Sequence, residues 1–167
     1  DAQGSYVRGT LLLAHIDGLQ QLLELQGAGR QGSEETASVL GALFGALTAE
    51  VERHGGGVVK FIGDGLVALF DAGALGEGHA IWACHAAVAM QQQMDAHQPA
   101  RSYGAATQLT LSVAAHSGRF ALFDVGDERH RELLLTGQAM GQLMQVRAAT
   151  RRGDSLVSAV TARAAGL

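Results

Sequence analysis

The stretch from Gly55 to Phe70 limits the fold more than any other. It reads Gly55-Gly56-Gly57-Val58-Val59-Lys60-Phe61-Ile62-Gly63-Asp64-Gly65-Leu66-Val67-Ala68-Leu69-Phe70. Two apolar runs of strand length, rich in β-formers, flank Gly63-Asp64-Gly65. Gly and Asp tolerate the positive φ of a tight turn, so the spacing predicts a hairpin with strands over 57–62 and 66–71. Lys60, the only lysine beside eleven arginines, sits four residues before the carboxylate at the tip.

The rest of the chain supplies the other layers. Residues 8–16 form a nearly continuous apolar run, the pattern of a buried central strand, broken by Asp17-Gly18. A short helix is predicted over 19–26, then a glycine-rich loop over 27–32. A long helix runs from Ser33, a capping position, through Arg53, with apolar positions at 39, 40, 43, 44, 47 and 51. After the hairpin come a loop over 73–78, a helix over 79–97 and a flexible connection over 99–106. Residues 109–115 read as a strand that turns at Ser117-Gly118, with 120–125 returning as its hairpin partner. A loop or arm over 126–132, a strand over 133–136, a helix over 139–150, a strand over 155–157 and a closing helix over 158–165 complete the order. This implies an α+β sandwich, a mixed and largely antiparallel sheet with helices gathered on one face.

Composition narrows the function. With 167 residues, 47% apolar content and one proline, the chain predicts a single globular domain over 1–167, excised from a longer multidomain protein. A formal net charge of −4 and no basic run beyond Arg151-Arg152 argue against nucleic-acid binding. No apolar run is long enough to span a membrane, so no membrane contact is expected of this fragment, and a cytoplasmic setting fits the lone Cys84. Cys84 lies in an apolar helix and reads as a buried, inert thiol. The histidines at 54, 79, 85, 97, 116 and 130 show no metal-binding spacing and read mostly as surface or cap residues.

The segment Val59-Lys60-Phe61-Ile62-Gly63-Asp64-Gly65-Leu66-Val67-Ala68-Leu69-Phe70 resembles the central hairpin of the class III nucleotidyl cyclases, which make cyclic AMP or cyclic GMP. The resemblance covers almost the whole chain, from Arg8 to Ala165. It implies a ferredoxin-like βααββαβ core whose mostly antiparallel sheet is covered by helices. It also implies Mg²⁺ or Mn²⁺, held by a carboxylate on the first strand, a main-chain carbonyl just after it and a carboxylate in the hairpin turn. Magnesium takes hard oxygen ligands, so this chemistry suits two carboxylates on neighbouring strand ends. On this chain the resemblance gives Asp64 and the Ile16 carbonyl as ligands, and Lys60, Gly18 and Leu19 for the nucleotide. The first-strand motif Ala-Asp-Ile-x-Gly-Phe-Thr is here Ala14-His15-Ile16-Asp17-Gly18-Leu19-Gln20, so His15 stands at the first carboxylate. Imidazole is a poor magnesium ligand. Asp17, one position past Ile16, is the other candidate, on a side where it would repel a triphosphate.

The family's remaining active-site groups come from a partner domain, and here they depart as well. Leu134 stands at the base-reading position, Gly141 at the ribose-binding Asn and Gln145 at the phosphate-binding Arg. Gln cannot supply a charged fork, and Arg147 projects about 200° around the helix from Gln145. The expectation is a degenerate cyclase homology domain, inactive alone. It would act as dimer partner or regulatory half beside a second cyclase domain, in tandem or as a homodimer. Alternatives are an active metal-donating half that converts ATP to cyclic AMP and pyrophosphate, and a sensor module for a nucleotide or anion. A diguanylate cyclase is disfavoured, because its Gly-Gly-Asp/Glu-Glu-Phe hairpin is absent.

Phe123-Asp124-Val125-Gly126-Asp127-Glu128-Arg129-His130-Arg131 with Leu135-Thr136-Gly137-Gln138-Ala139 resembles more narrowly the first of the tandem domains in bicarbonate-responsive soluble adenylyl cyclases. There the first domain forms a bicarbonate pocket from the lysine and an arginine, whose position Met144 takes here. Simpler readings stand beside these. Lys60 can be a strand lysine paired with a neighbouring acid, and Asp64 a residue chosen for its turn.

Overall fold

Strand β1 (Gln3–Asp17) is the spine of the molecule, and its sequence explains why. Leu11 and Leu12 are both fully buried although they point to opposite faces, so the strand is covered on both sides. Each contributes about 2 kcal/mol by leaving water. The computed structural model describes residues 3–26, 30–97, 108–126 and 131–167.

Helices α1 (Leu19–Gln26) and α2 (Arg30–Arg53) follow β1, then the hairpin β2 (Gly57–Ile62) and β3 (Gly65–Asp71). A one-turn helix α3 (Ala72–Leu75) and a 3₁₀ turn over Gly76–Gly78 lead into α4 (His79–Ala96). Strands β4 (Thr110–Gly126) and β5 (Arg131–Thr136), helix α5 (Gln138–Ala149), strand β6 (Ser155–Val157) and helix α6 (Ala159–Ala164) complete the fold. The sheet runs β2-β3-β1-β4-β5, all antiparallel, with β6 parallel to β4. This is the mixed, mostly antiparallel α+β sheet expected from the sequence.

Two apolar cores lie on the two faces. Leu12, Ala14 and Ile16 pack with Leu43, Leu47 and Val51 of α2 and Ala83, Ala86 and Met90 of α4. Leu11 and Val67 pack on the other face with Ala139 and Leu143 of α5. Helices therefore cover both faces, where the sequence reading had gathered them on one. Among the described residues no helix is long and apolar enough to cross a membrane.

The second half of the sheet departs from the expected hairpin. Residues 110–126 are one strand, with no turn at Ser117-Gly118. The reason is the N-terminal extension of β1, which pairs with β4 along its whole length, from Gln3↔Asp124 to Asp17↔Thr110. Ser117 is buried and bonded rather than displayed, and a Cβ on Gly118 would stand 2.7 Å from the Ala139 methyl. Glycine there lets α5 press onto the strand. The predicted 73–78 loop is instead α3 and the 3₁₀ turn, begun by the Asp71 carboxylate accepting from the Gly73 N–H at 2.9 Å. Helix α2 starts at Arg30 rather than Ser33. Residues 27–29, 127–130 and the 99–106 connection lie outside the described residues.

Candidate functional site

The hairpin turn reduces to Gly63 and Asp64, because Ile62 and Gly65 already pair. Only Gly63 takes positive φ, at 56°, so Asp64 does not hold its place through backbone freedom. The Ile16 N–H donates to the Asp64 carbonyl at 2.9 Å and ties the turn to the end of β1. Gly65 makes that approach possible, since a Cβ there would lie 2.3 Å from the Ala14 carbonyl oxygen.

His15 and Asp17 share the face of β1 that carries Leu11 and Leu13, and this brings three sequence-predicted residues together. His15 Nδ1 lies 2.8 Å from Asp64 Oδ1, and its Nε2 lies 3.5 Å from Asp17 Oδ1. The imidazole is wedged between the two carboxylates. Asp64 can only accept, so Nδ1 carries the proton. Asp17 is held in turn by the Ser112 hydroxyl on its other oxygen, and Ser112 accepts from the Gly153 N–H at 3.2 Å. Side-chain exposures of 29% for His15, 18% for Asp17 and 38% for Asp64 keep the cluster open to solvent on one side.

This donor set does not fit a magnesium cage. One carboxylate oxygen is taken by an imidazole nitrogen and another by a hydroxyl. Among the described residues no three His, Cys, Asp or Glu side chains converge on a common ion position. The His15 ring fills the space between the two carboxylates that a metal ion would need.

The other predicted residues sit around this cluster. Gly18 takes φ of 91°, and its carbonyl accepts from the Leu22 N–H at 3.0 Å to begin α1. Leu19 is a buried core residue, and Ile16 is buried beside it. Lys60 is engaged, with its Nζ 2.9 Å from Glu132 Oε1 on β5. That ion pair joins the two ends of the strand path. The Lys60 ammonium, bonded to the Glu132 carboxylate, holds it below the usual carboxylate range. Leu134 lies on β5, and Gly141, Met144 and Gln145 on α5, all exposed. Helix α5 packs on the β4 side of the sheet, and none of these four belongs to the His15 cluster.

Sequence reasoning missed Ser112 and Glu132, and the signal for Ser112 was available. Once β1 and β4 are paired, His15 faces Ser112 directly. It also missed a buried polar chain. Thr10 Oγ1 lies 2.8 Å from His79 Nδ1 and 2.7 Å from Ser117 Oγ. The Ser117 N–H donates to Thr161 Oγ1 at 2.8 Å, Thr161 meets Ser158 at 3.0 Å, and Ser158 meets His116 Nδ1 at 2.8 Å. His79 and His116 are buried, against their expected place at the surface. Cys84 is half-buried rather than buried, and that burial pushes its thiol pKa up.

No protein-family model matches the chain. Adenylate cyclase 1 of Rhizobium meliloti is 23% identical over 107 residues, which are 64% of this chain and 16% of that protein. The chain thus spans about a sixth of that relative's length. The adenylyl cyclase CyaB from P. aeruginosa superposes with a TM-score of 0.81 at 19% identity, over 98% of this chain and 82% of the other. The non-canonical dimeric guanylyl cyclase domain of the RhoGC fusion protein from Blastocladiella emersonii superposes with a TM-score of 0.77 at 17% identity, over 98% and 86%.

Proposed function

We propose that this chain, which has the fold and the sequence relatives of the class III adenylyl and guanylyl cyclase domains, is a degenerate member whose metal cage has been replaced by a histidine seated between two carboxylates. It serves as dimer partner or regulatory half of a second cyclase domain in cyclic-nucleotide signalling. The observation that carries this reading is His15, seated between Asp17 and Asp64 at the first-carboxylate position. Lys60, committed to Glu132, supports it, as do Gly141 and Gln145 where partner-facing groups for ribose and phosphate are expected.

A partner is favoured on two grounds. One structural neighbour is a non-canonical dimeric guanylyl cyclase domain, which is also known as a monomer. In addition, Phe61, Ile62, Leu134 and Met144 leave apolar surface exposed on β2, β5 and α5. The partner is a second cyclase domain, in tandem or as a second copy; in the tandem case this chain corresponds to the first of the pair. Mg²⁺ or Mn²⁺ with ATP would enter only through a restored cage.

Calorimetric titration with a non-hydrolysable ATP analogue and Mn²⁺ tests the reading on wild type, His15→Asp and Asp64→Ala. The expected result is silence from wild type and metal-dependent heat from His15→Asp. Metal-dependent binding by wild type that Asp64→Ala abolishes would show an active metal-donating half instead.

A further inference from the structure

We propose that His54 and His85 form a two-imidazole site for a divalent transition-metal ion of the Ni²⁺ or Cu²⁺ type, clipping the end of α2 to α4. The site lies outside the His15 cluster and stands or falls independently of the cyclase reading.

His54 follows the last residue of α2, and its ring folds back so that Nδ1 lies 2.8 Å from the Glu50 carbonyl oxygen. A carbonyl only accepts, so Nδ1 carries the hydrogen and Nε2 keeps its lone pair. Metal-binding histidines are typically set this way, one nitrogen donating to a fixed acceptor while the other faces the ion. His85 is exposed on α4, and its ring centroid lies 6.3 Å from that of His54, with the planes tilted by 30°. With metal–nitrogen bonds of 2.0–2.1 Å, two imidazoles on one ion have centroids about 5 Å apart at a tetrahedral angle and about 6.3 Å apart when trans. The observed separation matches the trans arrangement of a tetragonal ion, and imidazole nitrogen suits nickel and copper. Water completes the coordination, since no third His, Cys, Asp or Glu among the described residues converges there.

The protein carries its own reporter. Trp82, the only tryptophan, has its ring 5.7 Å from that of His85 and 6.2 Å from that of His54. A paramagnetic ion between the imidazoles quenches its fluorescence. Ni²⁺ is the probe of choice, because Cys84 has a free thiol able to reduce Cu²⁺.

The experiment titrates the full, tag-free chain with NiCl₂ and follows Trp82 emission. Saturable quenching reversed by EDTA is expected. His54→Ala and His85→Ala should each raise the midpoint by about tenfold or more, as for a lost ligand, while His15→Ala leaves it in place. Thermal unfolding checks each variant, and Ni²⁺ should raise the wild-type melting temperature but not that of His85→Ala. Quenching that is linear in Ni²⁺, or a midpoint that neither His54→Ala nor His85→Ala moves, overturns the proposal.

Discussion

Strands β1 and β4 carry two polar clusters five residues apart, and the two are built on opposite rules. Thr10 pairs with Ser117 and points to the α4 side; His15 pairs with Ser112 and points to the α5 side. At Thr10 every partner is neutral, buried and supplied by the protein. At His15 the partners are charged and one side stays open to water. A one-residue slip of β1 would exchange the two faces, so both clusters depend on the same register. The closed cluster is sealed by protein partners, and the open one stays reachable from solvent.

The comparison breaks most sharply at Thr10. Thr10→Val keeps the shape but removes the hydroxyl that serves both His79 and Ser117, leaving two buried polar groups without that partner. Unsatisfied buried groups cost about 1–3 kcal/mol each, so a loss of about 3 kcal/mol is expected in urea unfolding. A loss below about 1 kcal/mol would mean that the chain is not closed to water.

Next in size is a pH effect. Burial pushes the pKa of both His79 and His116 below 6.5, the ordinary histidine value. Nearby Arg8 lowers His79 further, while Glu77 and Asp71 oppose the shift, as the Gln142 hydrogen bond does at His116. Below 6.5 the unfolded chain therefore binds protons that the folded chain refuses. Stability is complete above that pH and is lost as pH falls toward the folded values. The unfolding midpoint should be lower at about pH 5.5 than at about pH 7.5. A flat profile would sink the claim that these imidazoles are buried neutral.

Much of this was legible in the sequence, and the failures have a common cause. The hairpin at Gly63-Asp64 and the buried first strand follow from local pattern and spacing, while His15 at a carboxylate position is what the cyclase resemblance implies. Ser117-Gly118 reads as a turn by the same local logic. It is a strand interior because β1 extends past it to Gln3, a pairing between residues more than a hundred positions apart. Ser112, Glu132, His79 and His116 were invisible for that reason too. Their partners, at 17, 60, 10 and 158, become neighbours only through the sheet and its packed helices. Composition likewise marks histidines as surface residues. Only the placement of Thr10 and Ser158 lets two of them go inside.

The open cluster responds more weakly than the closed one. Ser112→Ala removes one bond to Asp17 and one from Gly153, but Asp17 retains His15 at 3.5 Å and access to water. About 1 kcal/mol is expected, measured as above, and a loss equal to that of Thr10→Val would erase the distinction between the clusters.

The smallest effect belongs to the ion pair between the ends of the strand path. Lys60 and Glu132 meet at 2.9 Å, yet their side chains are 30% and 66% exposed. Exposed pairs gain little Coulomb energy in water and lose side-chain freedom, so Lys60→Ala should leave the unfolding midpoint unchanged within error. The Glu132 carboxyl should return toward 4.5 once Lys60 is removed, which ¹³C NMR titration of the carboxyl carbon reads directly. A clear loss of stability in Lys60→Ala would make the pair a clasp across the sheet, closer in kind to the Thr10 chain than to the His15 cluster. An unmoved Glu132 titration would instead mean that Lys60 is free in solution. It would then be available to an anion, contrary to its place here beside a carboxylate.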